Sequence, residues 1–377
     1  MNHKYNINVV TFWILIVLLL NGIISFAYTA LRGNSPQTLW PLLSVNYLFI
    51  SGMTQSGIIF STVMRVVRSR WDCPFAKTGE IITLSTAPLC LILFVILYAG
   101  GAGHIYSKVS APPAIFWRNI LTMLIFYAIS YFYYHSCALK ESTVTDSGKT
   151  DKRLNILAFA VIFLYVIHNT ITAWDLGMII IPDWESTIFP PYFWAGSIFA
   201  GTAFIFIVRG IRMADSGQLK GITNCDINKD KANTGWIICL DHMGKLILGF
   251  TLLWIYMFWS QYIVIWYGDI PRLTGPLQRQ MSGNYREMFL LMIIITFIIP
   301  FISLIQKRIR TSAIALLIVS ILICIGIWIN RYLMILPLYS NDGIQIILSY
   351  TVISLILAIL SASILLIKYS GICFLIR

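Results

Sequence analysis

The chain has 377 residues, of which 58% are hydrophobic and only 11% are charged, and its formal net charge is +12. A mean hydropathy of +0.80 is typical of a chain dissolved in lipid, so the composition excludes a soluble globular domain. The basic excess does not indicate nucleic-acid binding, because its placement along the chain follows the sides of a membrane.

Ten apolar segments are long enough to cross a hydrocarbon layer of roughly 30 Å, which takes about 20 helical residues. Such segments must be helical, since each backbone amide needs a partner within its own segment in lipid. The first segment resembles a signal peptide, but it is long, lacks a small-residue cleavage site and precedes nine others, so we expect it to be retained. The predicted spans are 9–31, 40–66, 80–102, 113–135, 154–175, 188–210, 236–267, 286–306, 311–336 and 344–368.

The lysines and arginines are distributed unequally between alternate loops. Nineteen fall on the side of the N-terminus and seven on the other side, with Lys245 inside a span. Because cytoplasmic loops carry the excess of basic residues, both termini are predicted to be cytoplasmic, in the inner membrane. Anionic lipid headgroups are the expected ligands of this charge. The two hydrophilic loops, at about 137–153 and 213–235, are then cytoplasmic and too short to be domains.

The seven cysteines are odd in number and scattered, so they predict no disulfide framework. The chain has no CxxC, no CxxCH and no cluster of Cys and His. The sequence therefore predicts neither a haem nor an iron–sulfur centre in this chain, and no metal site.

An acidic turn follows the fifth span, in the stretch AWDLGMIIIPDWESTIFPPYFWAG at 173–196. It contains Asp175, Asp183 and Glu185 and has no Lys or Arg. Pro190 and Pro191 fall where the sixth helix is predicted to begin, where a proline removes no intrahelical bond. The turn is either a solvated external loop with acids at a helix start, or part of a site on the outer side.

Ionisable residues inside the spans are costly and are therefore candidates for function. His168 and Asp175 are seven residues apart, which places them on one helix face. Asp241, His242 and Lys245 cluster in the seventh span, and Asp241 and Lys245 have the i,i+4 spacing of an ion pair. Two alternatives remain open for this cluster: a structural ion pair, or a proton relay. Gln261, in the same span, needs a buried hydrogen-bond partner.

Several motifs resemble those of the NrfD/polysulfide-reductase membrane subunits, and in particular those of alternative complex III. They cover about residues 40 to 340 in the family's order. The quoted stretches are IPDWESTIFPPYFWAG at the sixth helix, NYLFISGMTQSGIIFSTVMRVVRSRW (46–71), GEIITL (79–84), GIWINRYLMILP (326–337) and DHMGKLILGFTLLWIYMFWSQYIVIWYGDIP (241–271).

The resemblance implies an all-α polytopic membrane protein with ten transmembrane helices and no redox metal of its own. It implies a peripheral first helix (1–39), a four-helix bundle of spans 2–5 (40–175), a second bundle of spans 6–9 (188–336) and a peripheral last helix (344–377), all in one integral membrane domain. Expected partners are multihaem cytochrome or iron–sulfur subunits, other membrane subunits of the same complex, and lipids. The expected bound substrate is menaquinone or ubiquinone.

The chain departs from the family pattern at four positions. The imidazole that usually follows the third helix is shifted to His104, and Arg118 stands where an acid usually follows the Trp that opens the fourth helix. Position 185 is Glu and position 55 is Gln where His is common. The expected quinone-binding residues on the outer side are His104, Trp117, Arg118, Asp175, Trp184 and Glu185.

Quinol oxidation needs a proton acceptor and an apolar slot for the ring. Asp175 and Glu185 are the candidate proton acceptors, and Asp175 with His168 is the predicted functional pair, in the membrane subunit of a quinol:acceptor oxidoreductase. The alternative is that these side chains only tie span five to its neighbours. The predicted proton path comprises Glu80, His168, Asp175, Asp241, His242, Lys245, Gln261 and Arg331. The alternatives are a cofactor-free anchor for redox subunits and a transporter. The sequence lacks the broken helices and the internal repeats that are expected of a transporter.

Overall fold

The structure is a computed structural model. It describes residues 9–32, 36–69, 73–109, 114–142, 148–215, 231–343 and 350–375. Predictions that fall in the gaps, including most of the 213–235 loop, lie outside the described residues.

The described residues form helices joined by short turns. Nine are long: α1 (Val9–Arg32), α2 (Pro36–Val66), α3 (Cys73–Ile105), α4 (Ala114–Ser142), α5 (Gly148–Ala173), α6 (Phe189–Asp215), α7 (Lys231–Gly268), α12 (Ala313–Ile335) and α13 (Tyr350–Leu375). Between α7 and α12 lie the shorter helices α8 (Pro271–Met281), α9 (Arg286–Ile293), α10 (Ile299–Ile305) and α11 (Lys307–Arg310). A π-helical turn, Ile294–Ile298, joins α9 to α10 as one continuous span.

The predicted all-α polytopic fold is confirmed. Among the described residues, nine helical segments are long and apolar enough to cross a membrane, and a shorter apolar stretch, Ile353–Ile367, lies within α13. Several helices extend beyond the predicted spans, because their polar ends continue the helix past the apolar segment that hydropathy detects. The short helix α8 is not among the spans; it begins with Pro271 at its first turn, where a proline is tolerated.

Helix α2 lies at the centre of the molecule. Its mean hydropathy of 1.2 is the lowest of the nine described spans, yet its membrane-spanning window is completely buried. Apolar side chains need no shielding from lipid, whereas Ser, Thr, Asn and Gln need protein partners there. The most polar helix therefore occupies the protein interior.

The other helices surround α2 as two neighbouring groups. In the first group, α2 packs against α3 and α5, and α4 packs against both. In the second, α6 packs against α7 and α12, and the α9–α10 span packs between α7 and α12. The groups meet where α2 contacts α6 and α12. Helices α1 and α13 pack against each other at the periphery, and α13 also contacts α3.

Small residues allow α2 to approach its neighbours closely. A Cβ placed at Gly79 would lie 2.3 Å from the Gly57 carbonyl oxygen, so α2 and α3 touch backbone to backbone. On the other side of α2, Gly52 faces Ser197, and Gly201 of α6 faces Ser56. These small residues of α2 and α6 let the two helix backbones approach closely.

The crossing of α2 and α3 gives a stability prediction. Gly79→Ala should lower the free energy of unfolding by about 1–3 kcal/mol, because the added methyl group meets backbone atoms that cannot move independently. Gly249→Ala in α7 is the matched control, since nothing lies within 4 Å of a Cβ there. Chemical unfolding in detergent micelles measures both; equal effects of the two substitutions would contradict the close crossing.

Candidate functional site

Asp175 lies at the centre of a charged cluster on the predicted outer side. Its side chain is fully buried, and its two carboxylate oxygens accept hydrogen bonds from three donors. Arg118 donates through Nη2 and, at 3.2 Å, through Nε, while Asn119 donates through Nδ2 at 2.6 Å. The two-pronged arginine contact gives the pair a fixed geometry, so the carboxylate is held in one orientation.

Local sequence places these groups together. Helix α5 ends in a π-helical turn, Trp174–Met178, that contains Asp175. Tyr106, just after α3, donates to the Asp175 backbone carbonyl at 3.0 Å and ties this turn to α3. Arg118 and Asn119 follow each other near the start of α4, and Asn119 also bonds back to the Ile115 carbonyl. The cluster therefore joins the outer ends of α3, α4 and α5.

His168 lies deeper in the same helix group. Its Nδ1 is 3.0 Å from the Thr122 hydroxyl oxygen, and its Nε2 is 3.3 Å from Nε2 of Gln55. The Thr122 hydroxyl donates to backbone carbonyls of α4 and thus accepts from the imidazole. The Gln55 amide has one hydrogen for Tyr127 and one for His168. This network assigns a neutral His168 with its proton on Nδ1.

Further polar contacts continue this series of side chains toward the predicted cytoplasmic side. Asn169 donates to the Gln55 side-chain oxygen at 3.2 Å. Ser56 and the Tyr165 hydroxyl are 2.9 Å apart. About one and a half helical turns further along α2, Ser61 donates to the Glu80 carboxylate.

An ion pair lies at the end of this series that is predicted to be cytoplasmic. Arg65 donates to Asp151 at 3.1 Å, and both side chains are partly exposed. Buried polar side chains thus follow one another through the first group, from Asp175 on one side to the Arg65–Asp151 pair on the other.

An apolar slot adjoins the Asp175 turn. Its side chains close on one another and leave no room for a water molecule. Phe116 closes over Tyr98, with ring centroids 4.9 Å apart. The slot is lined by residues of α3, of the turn after α3 and of the π-helical turn: Phe94, Leu97, Tyr98, Ala102, Ile105, Tyr106 and Leu176.

The structure distributes the other predicted quinone-binding residues over several places. Trp117 is 71% exposed on the lipid-facing side of α4, next to Arg118. His104 stacks on Trp40, with ring centroids 6.4 Å apart. Trp184 is buried and donates to the Leu273 carbonyl, which ties the acidic turn to α8.

Glu185 is an exposed residue of the acidic turn. Of the six predicted quinone-site residues, Arg118 and Asp175 are the two that the structure brings into direct contact. Asn119 and Thr122 were not predicted from the sequence, although both closely follow Arg118 in α4.

The predicted polar residues of the second group lie apart from one another. Asp241 accepts from Lys245 at 2.6 Å and from Arg310 at 2.8 Å, near the predicted cytoplasmic surface. Arg310 also donates to the last carbonyls of α10, so this cluster ties α7 to that helix end. His242 is half-buried beside Asp241 in the sequence.

Gln261 and Arg331 are the deeply buried polar residues of this group. Gln261 is buried toward the other side of α7, and its Oε1 has no hydrogen-bond partner among the described residues. Arg331 is buried where α12 meets α6. Within the described ranges, no group of three or more His, Cys, Asp or Glu is placed to hold a metal ion.

These observations define a polytopic helical membrane protein whose first helix group buries an ion-paired carboxylate at the end of a polar series. Sequence comparison matches residues 30–340 to the family described as "Polysulphide reductase, NrfD". The chain belongs to the NrfD family, whose members partner with iron–sulfur or cytochrome redox subunits. A search of curated proteins finds no match.

The Asp175 cluster gives a second prediction. Arg118→Met should destabilise the protein, because it leaves a buried carboxylate without its counter-ion. We expect a loss at the lower end of about 3–5 kcal/mol, since the Arg118 side chain is 41% exposed. Adding Asp175→Asn should restore part of that loss. Chemical unfolding in detergent micelles measures the free energy of unfolding of Arg118→Met and of the double variant.

Lys245→Met provides the comparison. Lys245 is 52% exposed, and Asp241 keeps Arg310 as a partner, so its loss should cost about 0–1 kcal/mol. If Arg118→Met is as mild as Lys245→Met, the outer pair does not hold the helix ends together.

Proposed function

We propose that the chain is the quinone-reactive membrane subunit of a respiratory electron-transfer complex, with its quinone site at the Asp175–Arg118 pair. The observation that carries the proposal is a buried carboxylate that has fixed donors, an adjacent apolar slot and a series of polar side chains leading away from it. Family membership supports the coarser role, a membrane subunit of a quinone-linked redox complex.

The arrangement suits quinol oxidation. A quinol hydroxyl loses its proton to an acceptor within hydrogen-bond reach, and an ionised Asp175 supplies that acceptor. Arg118 and Asn119 orient the carboxylate and can donate to the quinone oxygen as it forms. Oxidation to quinone releases two protons and two electrons, and the electrons pass to an iron–sulfur or multihaem cytochrome partner. The bound substrate is menaquinone or ubiquinone.

Ring binding requires the apolar slot to open. Tyr98 and Phe116 close it, and their displacement toward lipid would admit a planar ring beside Tyr106 and Leu176. Trp117 and the half-exposed Arg118 lie on the lipid-facing side of this position, from which a lipid-soluble quinone arrives. The mouth is thus amphipathic, as expected for a headgroup that enters from the membrane.

The polar series of the first group supports a proton path. Asn119 donates to Asp175 and accepts from Thr172, while Thr122 donates to the Asn119 carbonyl and contacts His168, which in turn contacts Gln55. Tyr165 with Ser56, and then Glu80 with Ser61, lie further along the same helix group. A neutral imidazole between two hydrogen-bonding neighbours can accept a proton on one nitrogen and release one from the other. With both termini in the cytoplasm, the path joins the quinone site to the cytoplasmic side of the inner membrane.

A cofactor-free membrane anchor is the second candidate. Asp175 is already satisfied by Arg118 and Asn119 without any ligand, and the slot beside it is closed. In that case the cluster only fixes the ends of α4 and α5, and the chain holds its redox partners without a quinone site of its own.

Asp175→Asn distinguishes the two functions. In the complex purified from native membranes, we expect kcat for oxidation of decylubiquinol or menadiol to fall by about 100-fold or more, because the amide cannot accept the proton. Asp269→Asn is the control, an exposed acid near the same surface. Unchanged turnover in Asp175→Asn, or no quinol oxidation by the native complex, would favour the anchor.

Glu80→Gln tests the proton path separately from the quinone site. Glu80 lies at the cytoplasmic end of the series, far from Asp175 along α3 and α5. We expect quinol oxidation to continue, whereas proton transfer across reconstituted vesicles, followed with a pH-sensitive dye, should be lost. Retention of proton transfer in Glu80→Gln would exclude this residue from the path.

A further inference from the structure

We propose that the second helix group holds a small monovalent anion, of the charge and size of chloride, beside Arg331. The side chain of Arg331 is 1% exposed and lies in α12, within the membrane-spanning part of the protein. None of the ion pairs among the described residues includes it. A buried guanidinium without a counter-ion is costly in a bilayer, so the site demands a negative charge.

The protein contacts of Arg331 supply only partial charges. Nη2 donates to the Phe193 carbonyl at 2.6 Å and to the Ser197 hydroxyl at 3.2 Å. Nη1 is 3.5 Å from the Met334 sulfur, which is a weak acceptor. The guanidinium also lies 3.9 Å from the centre of the Phe193 ring. All these partners are neutral, and Nε has no hydrogen-bond partner.

A second unused donor lies close to Arg331. The indole nitrogen of Trp254 is completely buried and has no hydrogen-bond partner in the part of the chain that the structure describes. A Cβ placed at Gly196 would lie 3.1 Å from Nη2 of Arg331 and 3.3 Å from Nε1 of Trp254, so both groups border the same side of α6. Neither an arginine nor an indole can accept a hydrogen bond. Arg331 Nε and Trp254 Nε1 are therefore two buried donors without acceptors among the described residues, and an anion would satisfy such donors.

Space near the guanidinium limits the size of the ligand. Met334 separates Arg331 from a small cavity lined by the turn after α5 and by α6, α7 and α8, including Tyr192 and Gln261. The free space admits about one particle of the size of a water molecule. Met334 is a flexible side chain, and its rotation would join this space to the guanidinium. Chloride is larger than water and needs the volume that this rotation adds, whereas sulfate and a quinone ring are larger still.

The anion site makes a prediction about stability that is independent of the proposed function. An anion that binds only the folded protein raises its melting temperature by mass action. In the full chain in detergent, replacing gluconate by chloride at constant ionic strength should raise Tm by a few degrees and then saturate. Bromide should act like chloride, and sulfate should act like gluconate.

Substitution of Met334 provides the matched pair of variants. Met334→Glu places a carboxylate against Arg331 and should abolish the chloride-dependent rise in Tm, because the counter-ion is then internal. Met334→Gln has the same shape without the charge and should keep that rise. Equilibrium binding of radioactive chloride should give about one ion per chain in the wild type and in Met334→Gln, and none in Met334→Glu.

Three results would overturn the proposal. The first is a wild-type Tm that does not distinguish chloride from gluconate. The second is the same chloride response in Met334→Glu and Met334→Gln. The third is an absence of saturable chloride binding, which would mean that water alone occupies the space beside Arg331.

Discussion

The pairing of Asp175 with Arg118 and Asn119 is the interaction on which the site depends. A carboxylate cannot remain ionised within hydrocarbon without donors, and here three hydrogen bonds from two successive residues of α4 supply them. The pairing fixes the π-helical turn at the end of α5 against the start of α4. It also leaves the half-exposed Arg118 between the carboxylate and the lipid, on the side from which the proposed quinone would enter.

The need for hydrogen-bond partners inside the membrane also determines how the helices are arranged. Because hydrocarbon offers no hydrogen bonds, the polar helix α2 is central, and the strongly apolar α1 lies at the periphery. The polar residues of α2, α4 and α5 bond to one another across helix contacts, which gives the first group a polar interior. The second group differs, since its buried arginine has only neutral protein partners and its acid–base cluster ties helix ends together near the surface.

Hydropathy alone predicted the spans, because a continuous apolar run of sufficient length has few alternatives to a membrane helix. The seven-residue spacing also predicted that His168 and Asp175 share one helix face; Asp175 lies in the π-helical turn at the end of α5. Hydropathy does not predict contacts between helices. In the sequence, Gln55, Thr122 and Asn119 resemble ordinary polar residues, and their shared site follows only from the packing of α2, α4 and α5. Trp184 is near Asp175 in sequence, but the chain after the π-helical turn carries it to the Leu273 carbonyl instead. Arg118, a departure from the family pattern, is the partner of the predicted acceptor.

Infrared difference spectroscopy of the complex, recorded between quinol-reduced and oxidised states with isotope-labelled aspartate, tests the central claim most directly. If Asp175 takes the proton of the quinol, the spectrum will contain an aspartate carboxyl band that appears with protonation and is absent from Asp175→Asn. A spectrum with no aspartate band, or with one that Asp175→Asn leaves unchanged, would contradict the assignment of Asp175 as the proton acceptor.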